Sequence, residues 1–178
     1  MNRKLNASST LFNPPKDWDA FEDIVNRILQ REYNNSHLER YGRNGQRQYG
    51  IDILGRDNNS NENVGVQVKC VSPDADVENF IKQIDKDIEI VTDSHDCIDR
   101  FVIVTTRKAD NKIQSFIQKK SQEFENYGKL KIILNSNNWY QDKMRKHNDI
   151  AQEIGVLPTK TDLELNQSNE NEPMEQSD

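Results

Sequence analysis

The chain has 178 residues, 33% hydrophobic and 30% charged, with 24 Lys+Arg against 30 Asp+Glu for a formal net charge of −6. That composition supports one modest core; no run approaches the roughly 18 consecutive apolar residues of a membrane span, and the first residues lack the apolar stretch of a secretory signal. Cys70 and Cys97 are too few for a disulfide framework and fit a reducing cytoplasm, and with three scattered histidines (His37, His95, His147) they exclude a four-ligand zinc site.

Residues 17–31 read as the first helix: Trp18, Phe21, Val25, Ile28 and Leu29 recur at helical spacing, Pro14 and Pro15 precede it, and Asp17 can cap it. A loop with Gly42, Arg43, Gly45, Gln46, Arg47, Gln48 and Gly50 leads into two strands, residues 51–54 and 64–71, joined by a polar turn. A second helix over 76–91 lines up Val77, Phe80, Ile81, Ile84, Ile88 and Val91. The continuous apolar run 100–105 reads as a buried strand. A third helix over 112–127 stops at Gly128, a strand follows over 130–134, and a last helix spans 141–154. The order α-β-β-α-β-α-β-α describes a mixed β-sheet flanked by helices, with residues 1–158 as the folded domain. Residues 159–178 hold one base and six acids among Asn, Gln, Glu and Ser, the composition of a disordered tail or linker.

Charge is segregated along the chain. Residues 72–99 carry nine acids and two bases, whereas 107–120 and 129–146 each carry five bases and one acid. Gathered on one side, the basic segments would present a phosphate-binding face; otherwise they are solvated helix faces. Cys70 reads as core packing, and His95 and His147 as surface residues.

Four residues break the apolar pattern where it should be strongest. On the second strand Val64, Val66, Val68 and Cys70 share one face, and Gln67 and Lys69 the other. Asp52 stands between Ile51 and Ile53, which are expected to face one way while Asp52 faces the other. Glu22 lies within or at the rim of the apolar stripe of the first helix, four residues after Trp18 and three before Val25. Such groups are costly to bury without a charged partner or a metal. An arginine on the sheet would serve for Glu22, and an exposed sheet face for Gln67 and Lys69. Taken together, two carboxylates, an amide oxygen and an ammonium describe a hard-cation site suited to Mg²⁺ or Mn²⁺.

The set Trp18-Asp19-Ala20-Phe21-Glu22, Gly50-Ile51-Asp52, Val66-Gln67-Val68-Lys69 and the strand Phe101–Thr106 resembles the PD-(D/E)XK nucleases, and among them the Mrr-like restriction endonucleases. The resemblance covers roughly residues 17–135. It departs from the namesake pattern at Ile51, where proline is usual, and at Gln67, a Gln-x-Lys variant that removes one charge from the metal site. What it implies is a restriction-endonuclease-like fold and Mg²⁺-dependent (Mn²⁺ possible) hydrolysis of double-stranded DNA. Asp52, Glu22, Gln67 and the Val68 carbonyl would be metal ligands, and Lys69 the catalytic lysine. Arg43, Gln46, Arg47, Gln48, Thr106, Arg107 and Lys108 are candidate DNA contacts. The activity would serve as an effector in defence against foreign DNA, in a homo-oligomer or with a sensor module. A Holliday-junction resolvase-like nuclease and a catalytically silent DNA-binding or assembly module are the competing readings.

Overall fold

The computed structural model describes residues 11–42, 49–95, 97–126, 130–154 and 158–159. The elements run β1 (Leu11–Phe12), α1 (Trp18–Glu32), β2 (Glu39–Arg40), β3 (Ile53–Asp57), β4 (Glu62–Lys69), α2 (Val77–Ser94), β5 (Arg100–Thr105), α3 (Asn111–Asn126), β6 (Lys131–Asn135), α4 (Asn137–Lys146), α5 (Asn148–Glu153) and β7 (Pro158–Thr159). The expected order holds for the main elements. Three two-residue strands are additions, and the last expected helix is two short ones breaking at His147. Among the described residues no helix is long and apolar enough to cross a membrane.

Local sequence explains the helix starts. Asp17 accepts the Ala20 N–H at 2.8 Å to cap α1, and Asp76 accepts the Asn79 N–H at 2.9 Å to cap α2. Each such cap contributes about 1 kcal/mol. The five-stranded sheet has the order β2-β3-β4-β5-β6. β3 and β4 form an antiparallel hairpin with Ile53 opposite Val66, while β4, β5 and β6 run parallel through the crossover helices α2 and α3.

Two cores sandwich the sheet. Phe21, Ile24, Val25, Ile28 and Leu29 of α1 pack with Val64, Val66 and Val68 of β4, with Tyr140 and Met144 of α4, and with Cys70 at the margin. On the opposite face Phe80, Ile84, Ile88 and Val91 of α2 and Ile113 and Ile117 of α3 pack on Phe101, Ile103 and Ile132. Ile51 belongs to the second core and Ile53 to the first, so the expectation that they share a face is corrected. The chain crosses the sheet plane at Asp52, ahead of the first residue of β3, and the irregular backbone there breaks the two-residue alternation. Gly65 keeps that crossing tight: a Cβ on it would lie 2.8 Å from Ile98 Cδ1 and 2.9 Å from Ile51 Cδ1.

The segregated charges meet in space. Lys108, Lys112 and Lys120 of the basic segment pair with Asp74, Glu78 and Asp85 of the acidic one. Lys143 and Lys146 converge on Glu32, joined by His147 Nε2 at 2.7 Å. Part of the basic charge therefore pairs with acids of neighbouring segments, while the Lys108, Lys112 and Lys146 side chains remain largely exposed to solvent. His147 is half-buried in that cluster, and His95 packs edge-on against Tyr41 and Tyr49, so neither is a free surface histidine. The acidic segment 160–178 lies outside the described residues.

Candidate functional site

The site begins where β3 stops short of the end of β4. The Asp52 N–H still donates to the Val66 carbonyl at 2.8 Å, but among the described residues no strand residue pairs with Val68 on that side. The Asp52 carboxylate fills the gap: Oδ2 accepts the Val68 N–H at 2.7 Å and the Gln67 Nε2–H at 2.6 Å. The Val68 carbonyl, left without a strand partner, receives the Trp18 indole N–H at 3.4 Å. On its other side β4 is fastened to β5, where Thr105 Oγ1 and the Thr106 N–H donate to the Lys69 carbonyl.

Asp52 is 3% exposed, and burial pushes its pKa up to about 6. The Val68 N–H and the Lys69 charge act against that rise, while the charges of Glu22 and Asp87 add to it. Glu22, Lys69 and Asp87 thus act on Asp52 through their charges. Glu22 is 1% exposed, and burial likewise raises its pKa against the pull of Arg40. Arg40 Nε donates to Glu22 Oε1, and Arg40 Nη2 lies 2.5 Å from Asp19 Oδ1. Glu22 Oε2 is buried with no hydrogen-bond partner among the described residues. Lys69 Nζ lies 2.6 Å from Asp87 Oδ2, both side chains being mostly shielded from solvent.

The structure thus brings Asp52, Gln67 and Val68 into direct contact, with Glu22 and Lys69 as neighbouring charges. Glu22, Asp52 and Asp87, all largely shielded from solvent, outnumber Arg40 and Lys69 by one charge, an excess that a bound cation would offset. Among the described residues no three His, Cys, Asp or Glu side chains form a metal cluster by themselves. A cation here must therefore draw on amide or carbonyl oxygen as well, and the unpartnered Glu22 Oε2, the Gln67 amide and the Val68 carbonyl fit that requirement.

The candidate DNA contacts fare unevenly. Thr106 and Arg107 are buried, at 2% and 5% exposure, and their polar atoms are committed to backbone. Thr106 Oγ1 donates to the Val71 carbonyl at 2.5 Å, and Arg107 Nε and Nη2 donate to the Ala75 carbonyl at 3.0 and 2.7 Å. Both brace the turn after β4, which corrects their assignment as phosphate contacts. Lys108 is exposed and pairs with Asp74. Arg43, Gln46, Arg47 and Gln48 lie outside the described residues.

Sequence reasoning missed Asp87, Arg40, Asp19 and the indole of Trp18. Trp18 sits at the lip of the site at 37% exposure, not in the apolar stripe. Asp87 had a legible signal: Phe80, Ile84, Asp87 and Val91 fall at helical core spacing, so an acid there breaks the stripe as Glu22 does on α1. Arg40 carried none, because nothing marks Glu39–Arg40 as an edge strand.

A family model described as restriction endonuclease, of the Mrr catalytic type, matches residues 13–150. The chain belongs to this family. The match spans α1 through the first half of α5 and so includes every group just described. The fold is accordingly the restriction-endonuclease-like one, a mixed sheet with helices on both faces, and the family marks the domain as an endonuclease acting on DNA. Restriction-endonuclease-like proteins generally use divalent metal ions. No curated protein and no solved structure matches the chain.

Proposed function

We propose that this Mrr-type domain hydrolyses phosphodiester bonds of double-stranded DNA in a Mg²⁺-dependent reaction, Mn²⁺ serving as a substitute. The observation that carries the reading is the buried Oε2 of Glu22, which has no hydrogen-bond partner among the described residues, on a carboxylate whose charge acts on Asp52 in its contact with Gln67 and Val68. A buried carboxylate oxygen without a donor is costly, and a hard cation relieves that cost. Glu22 Oε2, Asp52, Gln67 and the Val68 carbonyl would hold the ion. When bound, it supplies Lewis acidity for the scissile phosphate and the attacking water.

The protein's own groups do the rest. Asp52 is braced by two donors on Oδ2, so its carboxylate enters the site in one orientation. Lys69 presents an ammonium that orients the attacking water and offsets the negative charge gathering on the pentavalent phosphorus. The shielded surroundings of Lys69 and Asp52 strengthen both interactions over their value in water. Arg43, Gln46, Arg47 and Gln48 follow Arg40 closely in sequence and lead into Asp52, which suits them to grip flanking phosphates. A defence role in the cytoplasm, in a homo-oligomer or alongside a sensor module, belongs to the same proposal and rests on the family resemblance.

The test is incubation of the purified protein with supercoiled plasmid in Mg²⁺, Mn²⁺ or EDTA, alongside Lys69→Ala and Asp52→Ala. We expect nicked and linear products with either metal, none in EDTA, and rates roughly a hundredfold or more lower for each variant. Cutting in EDTA, or by both variants at the wild-type rate, would remove this site from the chemistry. A branched-junction substrate cut in preference to linear duplex would instead favour the resolvase-like reading.

A further inference from the structure

We infer that Arg40 is a positioning residue for the metal site, holding Glu22 so that a single oxygen is offered to the cation. The inference rests on the metal-site reading above and concerns residues outside the proposed ligand set.

Arg40 Nε donates to Glu22 Oε1, and Glu22 Oε2 is left buried and without a donor among the described residues. A carboxylate bonded at one oxygen and bare at the other is prepared for one-oxygen coordination. The guanidinium is itself fixed from two further sides. Asp19 Oδ1, one turn before Glu22 on α1, lies 2.5 Å from Arg40 Nη2, and the Trp18 ring lies beneath the guanidinium carbon at 5.9 Å. Trp18 in turn donates its indole N–H to the Val68 carbonyl. The first turns of α1 and the edge strand β2 therefore form one frame that touches two of the proposed oxygen donors, Glu22 and Val68. Outer groups of this kind orient ligands, and their loss typically weakens metal binding by roughly 10- to 100-fold.

The opposite role is physically possible and predicts the opposite sign. An arginine on a metal-binding carboxylate can act as a rival cation, and its removal would then tighten metal binding. The bare Oε2 decides between them: a rival occupying the metal's place would not leave one oxygen of Glu22 buried and unused.

The experiment is Mn²⁺ titration of the purified chain without DNA, by calorimetry or by loss of the free-Mn²⁺ electron paramagnetic resonance signal. The proteins are wild type, Glu22→Gln, Arg40→Gln, Arg40→Lys and the Glu22→Gln/Arg40→Gln double variant, with far-UV circular dichroism to certify folding. We expect Arg40→Gln to bind roughly 10- to 100-fold more weakly than wild type. Arg40→Lys should fall between, since it keeps the charge and loses the fork. In the Glu22→Gln background the Arg40 effect should vanish, because it acts through that carboxylate. Arg40→Gln binding as tightly as wild type, or more tightly, while Glu22→Gln weakens binding overturns the positioning role and leaves the metal site standing. A Glu22→Gln variant with wild-type affinity, or a wild type that binds no Mn²⁺, overturns the metal site itself. Should Arg40→Gln not fold, Arg40→Lys carries the same comparison: unchanged or tighter binding by it counts against the inference.

Discussion

Lys69 and Asp87 face each other from β4 and α2 with Nζ and Oδ2 2.6 Å apart, each side chain less than a fifth exposed. Asp87 holds the ammonium at the end of its four-carbon stem, where thermal motion would otherwise spread it over several positions. Asp87→Asn keeps the shape and removes the charge. We expect kcat for plasmid cleavage to drop on the order of ten- to a hundredfold with KM for DNA nearly unchanged, and Asp87→Glu to recover part of it. Steady-state kinetics of the three proteins decide the matter: a wild-type kcat for Asp87→Asn would show that Lys69 needs no anchor.

Asp52 imposes a stability cost that varies with pH. Its pKa is about 6 in the folded chain against 3.8 when free, so the folded state holds its proton more tightly than the unfolded one. The contribution favours folding below about pH 4, declines as pH rises through about 6, and levels off above; two pKa units correspond to about 3 kcal/mol. Asp52→Asn keeps an oxygen for the Val68 N–H and removes the titration. Metal-free Asp52→Asn should therefore be more stable than wild type at pH 7.5, by about 1–3 kcal/mol in urea denaturation, with the difference shrinking toward pH 4. A variant less stable than wild type at pH 7.5 would contradict this.

Glu32 works in the other direction. Lys143, Lys146 and His147 surround it and, against the opposing effect of burial, hold its carboxyl down to about 2. Because the folded pKa lies below the free value of 4.5, the stabilisation is present above pH 4.5 and is lost as pH falls through about 2. Glu32→Gln leaves the cations unbalanced and should cost about 1–3 kcal/mol at pH 7, a range discounted for the exposed Lys146. Guanidinium-free denaturation (urea) at pH 7 and pH 3 provides the comparison, and an equal deficit at both pH values would refute the ion cluster as its source.

Gly65→Ala probes the packing beneath Asp52. The added methyl would press on Ile98 and Ile51, and Ile51 is covalently next to Asp52. We expect a stability loss of about 1–3 kcal/mol from overpacking, together with a fall in cleavage larger than that loss explains at a temperature where the variant remains folded. Full activity in a folded Gly65→Ala protein would mean that the carboxylate tolerates displacement.

Much of the fold was legible because its signals are periodic. The stripe of α1, the alternation in β4 and the apolar run of β5 each state one period over enough residues to be read. β1, β2 and β7 are two residues long, too short to carry a period, and α4 and α5 share one polar stretch whose break at His147 has no proline or glycine to announce it. Within the site, Glu22, Asp52, Gln67 and Lys69 stood out as polar residues in apolar patterns. Their partners did not, because Arg40 pairing with Glu22 across 18 positions is a product of tertiary packing. Thr106 and Arg107 misled for the same reason: a Thr-Arg-Lys run after a strand reads as exposed, yet backbone carbonyls capture the first two inside the turn.

The crossing of the sheet plane at Asp52 joins chemistry to folding. Ile51 and Ile53 are rooted in separate hydrophobic halves, so the carboxylate between them is aimed only when both halves have assembled. The direction of the Asp52 side chain is therefore a property of the whole packed domain, set jointly by the two layers on either side of the sheet.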